Sequence, residues 1–257
     1  MASSADIVFL IDATASMNPV IQGLKNNLKT FFKEITTPSG QNVAPIRDWR
    51  AKIVAFRDAT ADKVWFEDMP FTDDVSTLEN ALDNVKDTGG GDMAESLLDA
   101  IYTVAQMPET GAQGSPEPDK WRYVYSTARF IIAFTDAAFK DPLTATAPVD
   151  CAGMGMDEVI TAVENAKIRL ALVHPKTTGD DHGNNIDITG DYEGLANARN
   201  AMDMPTVDAA GNEIPLNEFA QSEKFTDLIA LLGRTVTRVS TPAAVPTAPE
   251  SSTLTIN

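Results

Sequence analysis

Cysteine is nearly missing from this chain: Cys151 is the single example among 257 residues. An intramolecular disulfide is therefore excluded, and the usage suits a reducing compartment. No neighbouring His or Lys stands ready to activate Cys151, so its thiol reads as structural. Long apolar runs are lacking too, since none approaches the roughly 18 residues that a membrane helix needs. Met1 to Ala5 has no positive region of the kind that opens a secretory leader. A cytoplasmic, bacterial protein is the expectation, with export the alternative for a trimmed chain. Positive charge is scarce: Lys and Arg number 20 against 37 Asp and Glu, a net charge of −17. Nucleic acids and anionic membranes bind through clustered Lys and Arg, so neither is an expected partner. A surface this acidic favours cations and basic partners.

Two nucleotide and hydrolase signatures are also missing. No Gly-Lys-Ser/Thr follows any glycine run, which removes a phosphate-binding P-loop. No Gly-x-Ser-x-Gly elbow is present, which removes an α/β hydrolase.

What is present begins at Ile7-Val8-Phe9-Leu10-Ile11, an apolar run with the composition of a strand buried on both faces. It ends in Asp12-Ala13-Thr14-Ala15-Ser16, which places one carboxylate and two hydroxyls at alternate positions. Alternate residues of an extended turn point the same way, so three hard oxygens can face one small cation. Apolar spacing from Val20 to Ile35 predicts a helix with Pro19 in its first turn. Ala51–Phe56 and Val64–Phe66 read as strands joined by a short turn, hence antiparallel to each other. Helices are predicted over 75–85 and from Leu97 to Val104, the latter directly after Thr88-Gly89-Gly90-Gly91-Asp92, with Glu95 in its first turn. Phe130–Phe134 is a further buried strand ending in Thr135-Asp136. A helix over 157–168, a strand at Leu170–Val173, a helix over 191–202, an edge hairpin at 205–215 and a helix at 225–236 complete the pattern.

Strands alternating with helices predict an α/β doubly wound sheet. In such sheets ligands gather where the strands end, at the point where strand order reverses. Asp12, Thr14, Ser16, Asp92 and Asp136 are the oxygens expected there. Hard oxygens from separate loops suit Mg²⁺, with Ca²⁺ or Mn²⁺ as alternatives. Glycines 89–91 let the backbone turn tightly toward the ion. From Ser240 onward Pro, Ala, Thr and Ser dominate, so 1–240 is expected to be the folded domain and 241–257 a tail or linker.

These motifs resemble the von Willebrand factor type A (VWA) family. Asp12, Thr14 and Ser16 match the DxSxS loop of its metal-ion-dependent adhesion site, with Thr14 replacing the first serine. Asp136 in Phe-Thr-Asp-Ala matches the later aspartate, and Asp92 falls where the family usually has threonine. Phe56-Arg57-Asp58, Gly-Gly-Gly-Asp-Met-Ala-Glu and Phe-Thr-Asp-Ala look like the branch found beside alpha-kinases and in bacterial proteins. The resemblance implies a Rossmann-like, six-stranded, mostly parallel sheet in the order 3-2-1-4-5-6, strand 3 antiparallel, with helices on both faces. It implies a non-catalytic, metal-dependent protein-interaction module, with a protein partner drawn from a kinase or AAA+ ATPase system among others.

One departure has a consequence. Asp92 in place of a neutral threonine puts three carboxylates beside a +2 ion, for a formal charge of −1, and an acidic partner is then repelled. Arg57 is the candidate to neutralise one of them. Firm metal binding with weak adhesion to acidic ligands is expected. A structural metal with the partner elsewhere is one alternative. A Mg²⁺-dependent phosphatase of the haloacid dehalogenase type is another, but Asp12-Ala13-Thr14 lacks the second carboxylate that acts as general acid. His174 and His182 with Asp180, Asp181 and Asp187 match no zinc or calcium spacing and read as an acidic rim loop. Trp121, Tyr123 and Tyr125 read as core or strand, with a contact patch on the far edge as the other reading.

Overall fold

The computed structural model describes residues 4–39, 44–89, 94–179 and 184–240. Six strands form one sheet: β1 (Ser4–Asp12), β2 (Asp48–Phe56), β3 (Phe66–Asp68), β4 (Thr127–Phe134), β5 (Ile168–His174) and β6 (Met202–Pro205). Their order is β6-β5-β4-β1-β2-β3, and only β3 runs antiparallel to its neighbour. Strand order and direction agree with the expectation. β1 lies at the centre because every residue of it is buried, which suits a strand covered on both faces.

The period of two along β1 sorts the helices into two layers. Ile7, Phe9 and Ile11 point to one core with α1 (Asn18–Thr36), α2 (Val75–Asn84) and α7 (Glu223–Ser240). Val8 and Leu10 point to the other, with α3 (Leu97–Ala105), α4 (Met156–Asn165) and α5 (Thr189–Leu195). A single-turn helix, α6 (Leu216–Phe219), precedes α7. α1 and α7 pack closely at Gly233, where an added Cβ would lie 2.6 Å from the Phe31 carbonyl. A side chain there would push the helices apart.

Several boundaries differ from the sequence reading, each for a local reason. The third strand starts at Phe66 rather than Val64, because Arg57 N–H donates to Trp65 O before the ladder proper begins. Glu95 is not helical: Ala94–Glu95 pairs in parallel with Ala138–Phe139, and α3 begins at Leu97. α4 stops at Asn165, and Lys167 adopts a φ of 53° as the chain turns into β5. The region 205–215 does turn back at Asp208–Asn212, but the strand that joins the sheet precedes it. Met-Asp-Met-Pro carries no β-branched residue, and its proline is tolerated because β6 is an edge. Residues 241–257 lie outside the described residues.

Opposite the strand carboxyl ends, β1 holds a buried carboxylate. Asp6 is fully buried and accepts from Arg50 Nε and Nη2 at 2.9 and 2.8 Å and from Arg122 Nε at 2.7 Å. Trp121 next to it is core, whereas Tyr125 is 74% exposed. The two readings of that aromatic segment therefore divide between its residues.

Candidate metal centre

Parallel pairing fixes which side chains meet. Ile11 stands opposite Phe134 on β4, so the next positions, Asp12 and Thr135, emerge together from the sheet edge. Asp12 is also level with Phe56 at the end of β2. The loops after β1, β2 and β4 thus open on one edge, as the doubly wound architecture requires.

Asp12 is fully buried. Its Oδ1 accepts from Thr14 N–H at 2.9 Å and from Thr14 Oγ1 at 2.7 Å, and its Oδ2 accepts from Thr135 Oγ1 at 2.8 Å. Thr14 spends its hydroxyl proton on Asp12, which leaves its oxygen free to act as an acceptor. Ser16 Oγ lies 3.4 Å from Thr14 Oγ1, close enough to the Asp136 carboxylate to lower its pKa. Four of the five residues read from the sequence therefore form one connected group: Asp12, Thr14, Ser16 and Asp136. Asp92, together with Gly90, Gly91, Asp180, Asp181 and His182, lies outside the described residues.

The electrostatics of the pair are unfavourable without a cation. Burial, with the Asp136 charge second, raises the Asp12 pKa to about 6; hydrogen bonds from Thr14 and Thr135 oppose the rise. Burial also raises Asp136, while Ser16 pulls the other way. Two carboxylates held this way are what a divalent cation relieves. Two carboxylates and two hydroxyls are hard donors and fit Mg²⁺ or its congeners with water completing the shell. Among the described residues no group of three acidic, histidine or cysteine side chains converges.

Three neighbours matter that the sequence reading placed otherwise or did not single out. Thr135 orients Asp12 and also accepts from Ala137 N–H at 3.2 Å. Its signal was available in Phe-Thr-Asp-Ala, one residue before the obvious carboxylate. Tyr192 is buried beneath the site, donates to Ala137 O at 2.7 Å and stacks on His174 at 3.8 Å. His174 itself is buried between Pro175 O and Asp203 Oδ1, so it faces the core and supplies no ligand.

Arg57 does not neutralise Asp12 or Asp136. It donates to Glu67 Oε1 at 2.7 Å, to Thr88 O at 2.7 Å and to Val64 O at 3.1 Å, with Lys86 O as a further acceptor. The guanidinium clamps the irregular segment 86–88 that leads into the glycines. Gly89, at φ 105°, follows that clamp, and a Cβ there would sit 2.4 Å from Asp62 Oδ1. Cys151 is buried, and its thiol is pushed up to about 12 by burial and by Asp99, which keeps it inert.

A cleft of about 460 Å³ runs from Asp136 past Pro175, Thr177 and Asn185 to Glu213 and Asn217. Pro175, Thr177, Thr178, Gly179 and Asn185 of the loop expected at the rim line this cleft. Residues 213–217 join it only through folding: Glu213 accepts from Thr177 N–H at 2.7 Å and ties the two segments together.

Comparison with known proteins places the fold. Residues 6–198 match the von Willebrand factor type A domain model. Solved structures that resemble the chain include proximal thread matrix protein 1 from the mussel byssus, at 14% identity and TM-score 0.53, with 90% of this chain and 47% of that one covered. The pilus adhesin SpaC from Lactobacillus rhamnosus GG is similar at 12% identity and TM-score 0.54, over 92% of this chain and 31% of that one. The chain thus spans less than half the length of each. No curated protein matches in sequence.

Proposed function

The chain belongs to the von Willebrand factor type A domain family, and on that premise we propose that it is a non-catalytic, divalent-metal-dependent protein-interaction module. Domains of this family generally mediate protein–protein interaction, are mostly not enzymes and often bind a divalent metal at an adhesion site. The observation that supports the reading here is that two carboxylates raised by burial, Asp12 further by the charge of Asp136, stand at the ends of adjacent strands. Thr14, Ser16 and Asp136 would hold Mg²⁺ with Asp12 acting directly or through water, and Asp92 would complete the set as the GGGD branch implies. Bound Mg²⁺ supplies an electrophilic centre able to accept an oxygen from a partner. The chain's own residues do the rest: Thr135 and Thr14 aim Asp12, and Arg57 fixes the approach to the glycines.

The partner docks on the rim beside Asp136, where Thr177, Asn185, Glu213 and Asn217 offer hydroxyl, amide and carboxylate groups. That lining suits a partner rich in hydrogen-bond donors over an acidic one. Calorimetric titration of Mg²⁺ and Mn²⁺ into wild type, Asp12→Asn and Asp136→Asn tests the site. Equal binding by all three sinks the reading. Partner binding that survives a chelator assigns the metal a structural role instead. Turnover of a generic phosphate ester, lost in Asp12→Asn, would favour the phosphatase.

A further inference from the structure

The tripeptide that forms the first cradle recurs. Asp12-Ala13-Thr14 follows β1, and Asp58-Ala59-Thr60 follows the neighbouring β2. The two make the same pair of hydrogen bonds to one carboxylate oxygen. Asp12 Oδ1 accepts from Thr14 N–H at 2.9 Å and Thr14 Oγ1 at 2.7 Å; Asp58 Oδ1 accepts from Thr60 N–H at 2.8 Å and Thr60 Oγ1 at 2.7 Å. Asp58 is fully buried, as Asp12 is. In the second copy a cation is already present: Lys140 Nζ pairs with Asp58 Oδ1 and lies 2.6 Å from Thr60 Oγ1. Asp58 Oδ2 is buried with no hydrogen-bond partner among the described residues.

We infer that Asp58-Ala59-Thr60 is a second cation cradle of the same design as the first, and that the chain supplies its ion as the ammonium of Lys140. Charge decides which cation each cradle takes. Among the described residues the second has one carboxylate paired with the ammonium, which a single positive charge neutralises. The first has Asp136 opposite Asp12 and no ammonium among the described residues, so it suits an ion of charge +2. Topology makes the arrangement useful. Lys140 comes from the loop after β4 and Asp58 from the loop after β2, so their contact passes the end of β1, which lies between them. Lys140 N–H donates to Glu95 O at 3.0 Å and Ala59 N–H to Ser96 Oγ at 2.9 Å, which laces the same loops together. The half-buried ammonium is thus a permanent cation beside an exchangeable one, and it spans the crevice whether or not the first cradle is loaded. With the lysine side chain removed, a small cation from solution can take its place.

The test uses methylammonium in chelator-containing buffer, which leaves the first cradle out of the readout. Lys140→Met strands a buried carboxylate and is expected to unfold roughly 10 °C below wild type. Asp58→Asn combined with Lys140→Met recovers most of that loss. Methylammonium raises the melting temperature of Lys140→Ala in a saturable way, but not that of wild type or of Asp58→Asn/Lys140→Ala. Equal response of Lys140→Ala with and without Asp58, or a double variant no more stable than Lys140→Met, overturns the inference. Should the single variants fail to fold, a folded double variant supports it and an unfolded one overturns it.

Discussion

Thr135 donates its hydroxyl to Asp12 Oδ2 at 2.8 Å, so the residue before one carboxylate holds the other in place. The bond crosses from β4 to β1, and it fixes the Asp12 side chain from the side opposite Thr14. Orientation is therefore built into the protein's own side chains, since three hydrogen bonds hold a buried carboxylate. Groups that orient a metal ligand fix its direction and raise its basicity.

Thr135→Val removes that bond while keeping the side-chain shape. Affinity for Mg²⁺ or Mn²⁺ is expected to fall about 10- to 100-fold, measured by calorimetry, with circular dichroism unchanged. Unchanged affinity would mean that Asp12 is held by Thr14 alone.

Stability without metal should depend on pH in a stated direction. The Asp12 pKa is raised from 3.8 to about 6 in the folded protein. An acid whose folded value lies above its unfolded value weakens the fold as it ionises. Unfolding free energy in chelator, read by chemical denaturation, is expected to decline between about pH 4 and pH 6 and then level off, by up to about 3 kcal/mol at about 1.4 kcal/mol per pH unit. Asp12→Asn reduces the slope and leaves the share that comes from Asp136, which burial also raises. Divalent affinity rises across the same window, because the ion competes with the proton. A profile flat in both proteins would contradict the burial argument.

Asp6→Ala tests whether effects on the metal edge are specific. The substitution leaves Arg50 and Arg122 buried without their shared carboxylate. A loss of about 3–5 kcal/mol is expected by chemical denaturation, with divalent affinity of the folded fraction unaltered. Altered metal affinity would show that the two edges of the sheet are coupled.

Asp92→Thr addresses ligand choice through charge alone. Removing one carboxylate makes a loaded site less negative, so binding of a glutamate-bearing peptide is expected to strengthen in Mg²⁺. Surface plasmon resonance at low salt reads the change, since screening weakens it. Weaker binding in the variant reverses the electrostatic account.

Local pattern carried much of this. Val8, Leu10, Ile131 and Ala133 announce buried strands because a strand covered on both faces cannot alternate with polar residues. Asp12 and Asp136 stand out because each interrupts such a run. Met202–Pro205 escaped notice because an edge strand has one neighbour and little need for β-branched residues. Arg57 was legible as a charge at a strand end, but its acceptors are carbonyls of residues 64, 86 and 88, which no spacing reveals.

The amino-acid sequence by itself determined the alternation of strands and helices and the carboxylates at the strand ends, because both follow from side-chain chemistry within a few residues. Tertiary structure alone decided that Thr135 serves Asp12, that Lys140 fills the cradle of Asp58 and that Glu213 completes the rim. Those pairings join residues 123, 82 and 36 positions apart, and only the order in which strands pack brings such distant groups within hydrogen-bond reach.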